Sequence, residues 1–278
     1  MKYITFPGSG QLTGLAMMLS SIGHETDAKE IAFGIEMPWL FLNKDGRYYA
    51  GPQLFQPEWV NLYLNSLGFQ MNKQPLSAED VSAFLRAHAP VMLPLAVTPD
   101  SIHPVVFTGY QDKRYSFINI KKAVSPEPDT FSLSADMLRR RLKDDVTAYT
   151  LEACERRSAD FTPLLRASLR SLSQYQGELL KLCTKTLSRE AFSDLKQPFL
   201  RALLQDTYPM ALLLEDTMLT EYLRELNHRY RHVFIRASEQ SAELRDYFSK
   251  RVLCNCILWL KENIHDRLAE LGAEDDDE

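Results

Sequence analysis

Leu12, Leu15, Ala16, Leu19 and Ile22 recur at helical spacing and predict a helix from Gln11 to Ile22, ended by Gly23. Asp27 to Phe33 reads as a second, short helix. Pro57 at a first-turn position opens a third that runs through Leu67 and stops at Gly68. Ser77 with Asp80 three residues later resembles a capping box for a helix reaching His88. The period then changes. Val91–Val97, His103–Tyr110 and Tyr115–Ile120 are rich in β-branched and aromatic residues and read as strands. Gln111-Asp112-Lys113-Arg114 joins the last two as a loop of hairpin length. Ser134–Leu142 predicts a helix and Val146–Leu151 a closing strand. Helices first and antiparallel strands later is the α+β pattern.

Beyond residue 150 the pattern predicts helices only, over 161–187, 189–205, 209–236 and 240–271. On the last, Leu253, Cys256, Ile257, Leu260, Ile264, Leu268 and Leu271 form one stripe. On the third, Leu212, Leu219, Leu226, Tyr230 and Val233 do the same, and Glu215 falls on that stripe, where a carboxylate needs a partner or an edge position. A four-helix bundle or an irregular helical domain is expected. Composition sets the boundary. Nine of the eleven glycines and eleven of the fourteen prolines precede residue 150, so turns and strands belong to the first part. The polar stretch from Cys154 to Asp160 separates a domain over 1–153 from a helical domain over 160–273, followed by an acidic tail at 274–278.

With 278 residues the chain can bury a substantial core, and its formal charge of -5 argues against a general nucleic-acid surface. The run Val91–Val97 is interrupted by Pro94 and is far too short to span a membrane. Residues 1–10 lack a basic segment followed by an apolar one, so no signal peptide and a cytoplasmic location are expected. The four cysteines, Cys154, Cys183, Cys254 and Cys256, form no CxxC pair and are expected to be free thiols. None precedes residue 154.

That absence matters for a resemblance. The stretch from Gly10 to Gly23, with Gly14-Leu15-Ala16-Met17-Met18-Leu19 at its centre, is similar to the nucleophile helix of papain-like bacterial peptidases, in the branch that cleaves bacteriocin leaders. His103-Pro104-Val105-Val106-Phe107-Thr108-Gly109-Tyr110 resembles that branch's histidine strand, and Asn119 stands where the family has its orienting Asp or Asn. Ile31 to Leu42 also resembles the N-terminal domain of butirosin-type acyltransferases, which share the fold and carry a helical C-terminal domain. The likeness covers roughly residues 1–125. It implies a papain-like cysteine-peptidase domain followed by an all-α domain, with the cysteine position occupied by Gly10. The family's oxyanion glutamine is missing as well, since Tyr3-Ile4-Thr5-Phe6 has no amide side chain.

The resemblance therefore implies a catalytically degenerate protein that binds a peptide or acyl-like small ligand in the inherited cleft. The binding residues it implies are Gly10, Gln11 and His103, where the exposed N–H groups of a helix start could meet an anion. The alternative is an acyltransferase or hydrolase that uses Ser9, or a water held by His103 and oriented by Asn119. Ser9 is one residue out of place, about 100° around a helix, and serine also serves as a helix cap. A third reading is a scaffold whose helical part drives homo-oligomerisation. No cofactor is expected, and no metal. The pairs Glu225/His228 and Glu262/His265 have the Glu-x-x-His spacing of di-iron bundles, but both lie off the apolar stripes of their helices. His228 and His232, four residues apart, lie on the same polar face.

Overall fold

The computed structural model describes residues 10–98, 101–120, 129–236, 242–243 and 250–273. Ser9, the proposed alternative nucleophile, and the acidic tail at 274–278 lie outside the described residues. Helices α1 (Gly10–Ser21) and α2 (Ala28–Gly34) are followed by strands β1 (Phe41–Lys44) and β2 (Arg47–Ala50), then α3 (Pro57–Leu67), β3 (Phe69–Ser77) and α4 (Val81–Ala87). Next come β4 (Val91–Thr98), β5 (Ser101–Gln111), β6 (Arg114–Asn119), β7 (Asp129–Leu133), α5 (Ala135–Arg141) and β8 (Asp145–Ala153). The remainder is α6 (Thr162–Leu182), β9 (Thr186–Leu187), α7 (Arg189–Leu195), α8 (Tyr208–Leu214), α9 (Thr217–Arg236), β10 (Ala242–Glu243) and α10 (Lys250–Glu270). The chain is mixed α+β and divides into two compact units, one from 1–35 with 55–159, the other from 36–54 with 160–278.

The first unit is built on a six-stranded antiparallel sheet in the order β3-β8-β4-β5-β6-β7. Successive residues of a strand face opposite sides. One face carries Leu93, Leu95, Val105, Phe107, Phe117 and Val146, closed over by Val81 and Leu85 of α4 and Leu138 of α5. The other face receives α1, whose residues from Leu12 to Leu19 are all buried. A helix apolar on every side has to lie inside the fold, which is why this one lacks an amphipathic pattern. Asp27 caps α2 by accepting from the Lys29 and Glu30 N–H groups, and Gly68 ends α3 in the left-handed region at φ 88°. At Ser77 the structure departs from the sequence pattern. Its hydroxyl donates to Asp80 at 2.6 Å, yet Ser77 ends strand β3 and the helix begins at Val81.

The second unit does not consist of helices alone, and the first domain is not the continuous stretch 1–153. Residues 36–54 belong with the second unit because the β1–β2 hairpin lies along α6. The Phe41 and Asn43 N–H groups donate to Ser168 and Ser171, at 3.0 and 3.1 Å, and each serine passes a bond on to a carbonyl of its own helix. Tyr175 of α6 packs in a three-ring cluster with Tyr48, edge-on at 4.9 Å, and Phe199, stacked at 4.2 Å, which also meet each other at 5.5 Å. On α10 the stripe from Leu253 to Leu268 is buried as its spacing requires, while Leu271 lies past the helix end and is exposed. The helix expected over 209–236 is broken. Glu215 turns left-handed at φ 57° and ends α8, and Asp216 caps α9 through the Leu219 N–H at 2.9 Å. The break resets the helical phase, so Glu215 is exposed and so is Leu212, while Leu219, Leu223 and Leu226 are buried.

Tyr175 is fully buried, and its hydroxyl has no hydrogen-bond partner among the described residues. Burial holds that phenol well above its ordinary pKa, so it remains a neutral but desolvated group. Tyr175→Phe keeps the ring contacts and removes the orphan, so it should stabilise the protein by about 1 kcal/mol. The measurement is a urea titration beside the native chain; a loss of stability would mean that the hydroxyl has a partner.

Candidate functional site

The start of α1 lies unusually close to the sheet. A Cβ on Gly10 would come within 2.9 Å of Pro104 Cγ and 3.4 Å of Ile120 Cγ2. One turn on, a Cβ on Gly14 would run into the Met92 sulfur and come within 2.7 Å of Ile120 Cδ1. The two glycines let the helix settle onto β4 and β5. Among the described residues, those nearest to Gly10 are thus Pro104 and Ile120, neither of which carries a polar side chain.

Two prolines shape the sheet beneath. Pro94 of β4 and Pro104 of β5 are direct register partners. Neither has an N–H, so they occupy a position of the β4–β5 ladder where no hydrogen bond is exchanged. Their nitrogens therefore face outwards, Pro94 towards β8 and Pro104 towards β6. Among the described residues both outer ladders stop there. Pairing of β4 with β8 covers only Val91–Thr150 and Met92–Tyr149, and ends where Pro94 would meet Thr147. Pairing of β5 with β6 ends at Val105–Asn119, where Pro104 would meet Ile120. Proline inside a central strand is rare for this reason.

A cavity of roughly 320 Å³ opens at this point, lined by Gln11, Thr147, Tyr149 and the stretches 92–94 and 102–104. Met92, Pro94, Ile102, Pro104, Thr147 and Tyr149 share one face of β8, β4 and β5 and form its floor, with Gln11 of α1 beside them. Burial raises the Tyr149 phenol above its ordinary pKa, so it stays protonated as a hydrogen-bond donor. Among the described residues the lining contains no Asp, Glu, Lys, Arg, Cys or Ser.

His103 and Asn119 lie on neighbouring strands and on one face. His103 pairs with Leu95, and Asn119 pairs with Val105, two residues further along β5. That face, however, is the one of Leu95, Val105 and Phe117, away from α1. The pleat thus carries the His103 and Asn119 side chains to the side opposite Gly10, and the adjoining Pro104 and Ile120 meet the helix instead. Asn119 is buried and donates to Asp129 Oδ2 at 3.0 Å, so it serves a strand-end contact with β7. Gln11 and His103 do both border the cavity, His103 from a position whose side chain the pleat directs away.

All four cysteines are free. Cys183 and Cys256 are buried, and burial pushes the Cys256 thiol far up from its ordinary pKa. Cys154 donates to Asn65 Oδ1 at 3.5 Å. Among the described residues no group of three His, Cys, Asp or Glu side chains could hold a metal, and Glu225, His228, Glu262 and His265 are all exposed. No described helix is long and apolar enough to cross a membrane.

Sequence reasoning reaches Gln11 and His103 but misses Pro94, Pro104, Thr147 and Tyr149. A proline in each of two adjacent apolar strands is a readable signal. Their opposition in register is not. No protein-family model matches the chain, and no curated protein matches it either.

Proposed function

We propose that the chain is a catalytically degenerate papain-like protein whose first unit binds a peptide or acyl-like small ligand in the cavity at the start of α1. One observation carries this reading: among the described residues, Gly10 and the side chains nearest it, Pro104 and Ile120, supply neither a nucleophile nor a base, yet they adjoin a cavity of roughly 320 Å³. That volume lies at the small end of the range for ligand sites, about 300–1,000 Å³. Nucleophilic catalysis needs a base within hydrogen-bond reach of the attacking atom. The pleat position of His103 does not favour the acyltransferase or hydrolase alternative, whether through Ser9 or through a held water.

The test is a pair of assays on the purified chain. Peptide and acyl-thioester substrates should show no turnover above background, and an electrophilic thiol probe should label none of the four cysteines rapidly at neutral pH. Turnover abolished by His103→Ala would establish the enzyme reading instead. Rapid labelling of one cysteine would identify a thiol with a lowered pKa, which the degenerate reading does not contain.

A further inference from the structure

The ending of the β4–β8 ladder has a chemical consequence. In an antiparallel sheet the N–H and C=O of one residue point to the same neighbouring strand. With the Pro94–Pro104 pair at a non-bonded position of the β4–β5 ladder, Met92 turns its main-chain groups to β8, so its partner Tyr149 and, two residues before it, Thr147 turn theirs to β4. The residue Thr147 faces is Pro94, whose carbonyl can accept the Thr147 N–H but which has no N–H to give, and the ladder has no pair there. Thr147 is half-buried and borders the cavity. Its carbonyl is therefore left without a donor from β4, an acceptor in strand geometry at the wall of a largely apolar space.

We infer that the main-chain carbonyl of Thr147 is the recognition element of this cavity, and that the ligand is an uncharged secondary amide, whose N–H it accepts, flanked by apolar groups. The inference rests on the reading of the cavity as a ligand site and narrows it to one chemical class. Addition of an extended amide to an unpaired strand edge is a recurrent mode of peptide recognition. Met92, Pro94, Ile102 and Pro104 offer apolar contact to the groups on either side of that amide. Gln11 and Tyr149 add neutral polar contacts. Among the described residues no Lys, Arg, Asp or Glu lines the cavity, so a carboxylate or an ammonium would be desolvated there without a counter-charge from them. The cavity volume equals the share of roughly ten water molecules, which limits the ligand to a small N-acyl compound or one to two residues of a peptide.

Four probes separate the possibilities in NMR titrations of the full chain: N-acetyl-leucine N-methylamide, N-butylhexanamide, hexanoate and hexylammonium. Both amides should bind, and the two ions at least about tenfold more weakly, the ratio expected when an ion is desolvated without a partner. The tighter of the two amides distinguishes a peptide source from an N-acyl small molecule, and either result supports the inference. N-butyl-N-methylhexanamide lacks the N–H and should bind about three- to tenfold more weakly than its parent, the value of one lost hydrogen bond. Pro94→Ala restores a donor opposite Thr147, lets the ladder extend, and should weaken amide binding by a similar factor. The methylated probe gives an answer even where that variant does not fold. Equal binding of the secondary and tertiary amides, or preference for hexanoate, would overturn the inference and leave the cavity a ligand site of another class. Failure of all four probes to bind would remove the binding function itself.

Discussion

Replacing Gly51 with alanine should destabilise the second unit by about 3–5 kcal/mol, the sum of a backbone and a packing cost that neither neighbour can relieve. Gly51 holds φ at 49°, in the left-handed region, immediately after β2. A Cβ there would run into the main-chain oxygen of Asp206 and come within 3.1 Å of its carbonyl carbon. Main chain cannot swing aside as a side-chain tip can. The Asp206 segment is also held in place by its own bonds. Its carboxylate accepts from Gln53 and, at 3.0 Å, from Arg201, and Thr207 donates to the Ala202 and Leu203 carbonyls at 2.6 and 2.9 Å. Asp206 is buried, and its carboxyl is raised above the ordinary range chiefly by that burial, so displacing it would expose a costly network. Gly46 is the natural control. It holds φ at 76°, and a methyl group added there would meet nothing within 4 Å, so Gly46→Ala should cost only about 1–2 kcal/mol, the backbone cost alone. Chemical denaturation of both variants measures the difference. Equal losses would mean that the close approach of Gly51 to Asp206 does not exist.

Arg267→Ala should cost about 3–5 kcal/mol, the penalty for leaving one partner of a buried ion pair without the other. Arg267 of α10 grips Glu36 with two bonds, at 2.8 and 2.6 Å, and lies over the Trp39 ring at 4.8 Å. The Glu36 side chain is only 8% exposed, so its charge has lost most of its hydration. The bonds from Glu36, set against partial burial, hold the guanidinium even further above its ordinary pKa. Glu270 also accepts from Arg267, at 2.8 Å, but it is exposed and contributes little. The comparison that isolates the buried charge is the double variant Arg267→Met with Glu36→Gln, which should recover much of the loss. A cost of less than about 1 kcal/mol for Arg267→Ala would place the pair among ordinary surface bridges. Both experiments probe the second unit, so neither bears on the ligand site of the first.

The limits of the sequence reading have particular causes. The β1–β2 hairpin escapes it although its turn is written in the chain: Asp45 and Gly46, at φ 54° and 76°, form the two-residue Asp-Gly connection. Its strands are four residues each, too short to display a period. Strand β3 escapes it because it is an edge strand with Lys73 and Pro75 in it, mostly exposed, where no apolar alternation is required. The stretch 209–236 reads as one continuous helix because a left-handed Glu215 has no signature of the kind that glycine leaves.

What the sequence by itself determined is local. The apolar run of α1, the glycine stop of α3, the strands β4 to β6 and the stripe of α10 follow from spacing and from residues with restricted backbones, and these act over a few positions. The absence of a cysteine before residue 154 is equally plain in the chain. Only the tertiary structure decided which residue of the His103-Pro104 pair meets the start of α1. A one-residue change in a strand reverses the face to which a side chain points, and that phase is set by pairing with β4 and β6, not by the dipeptide. The cavity was decided in the same way. Pro94 and Pro104 are ten positions apart, and only their pairing across two central strands ends both outer ladders at one place.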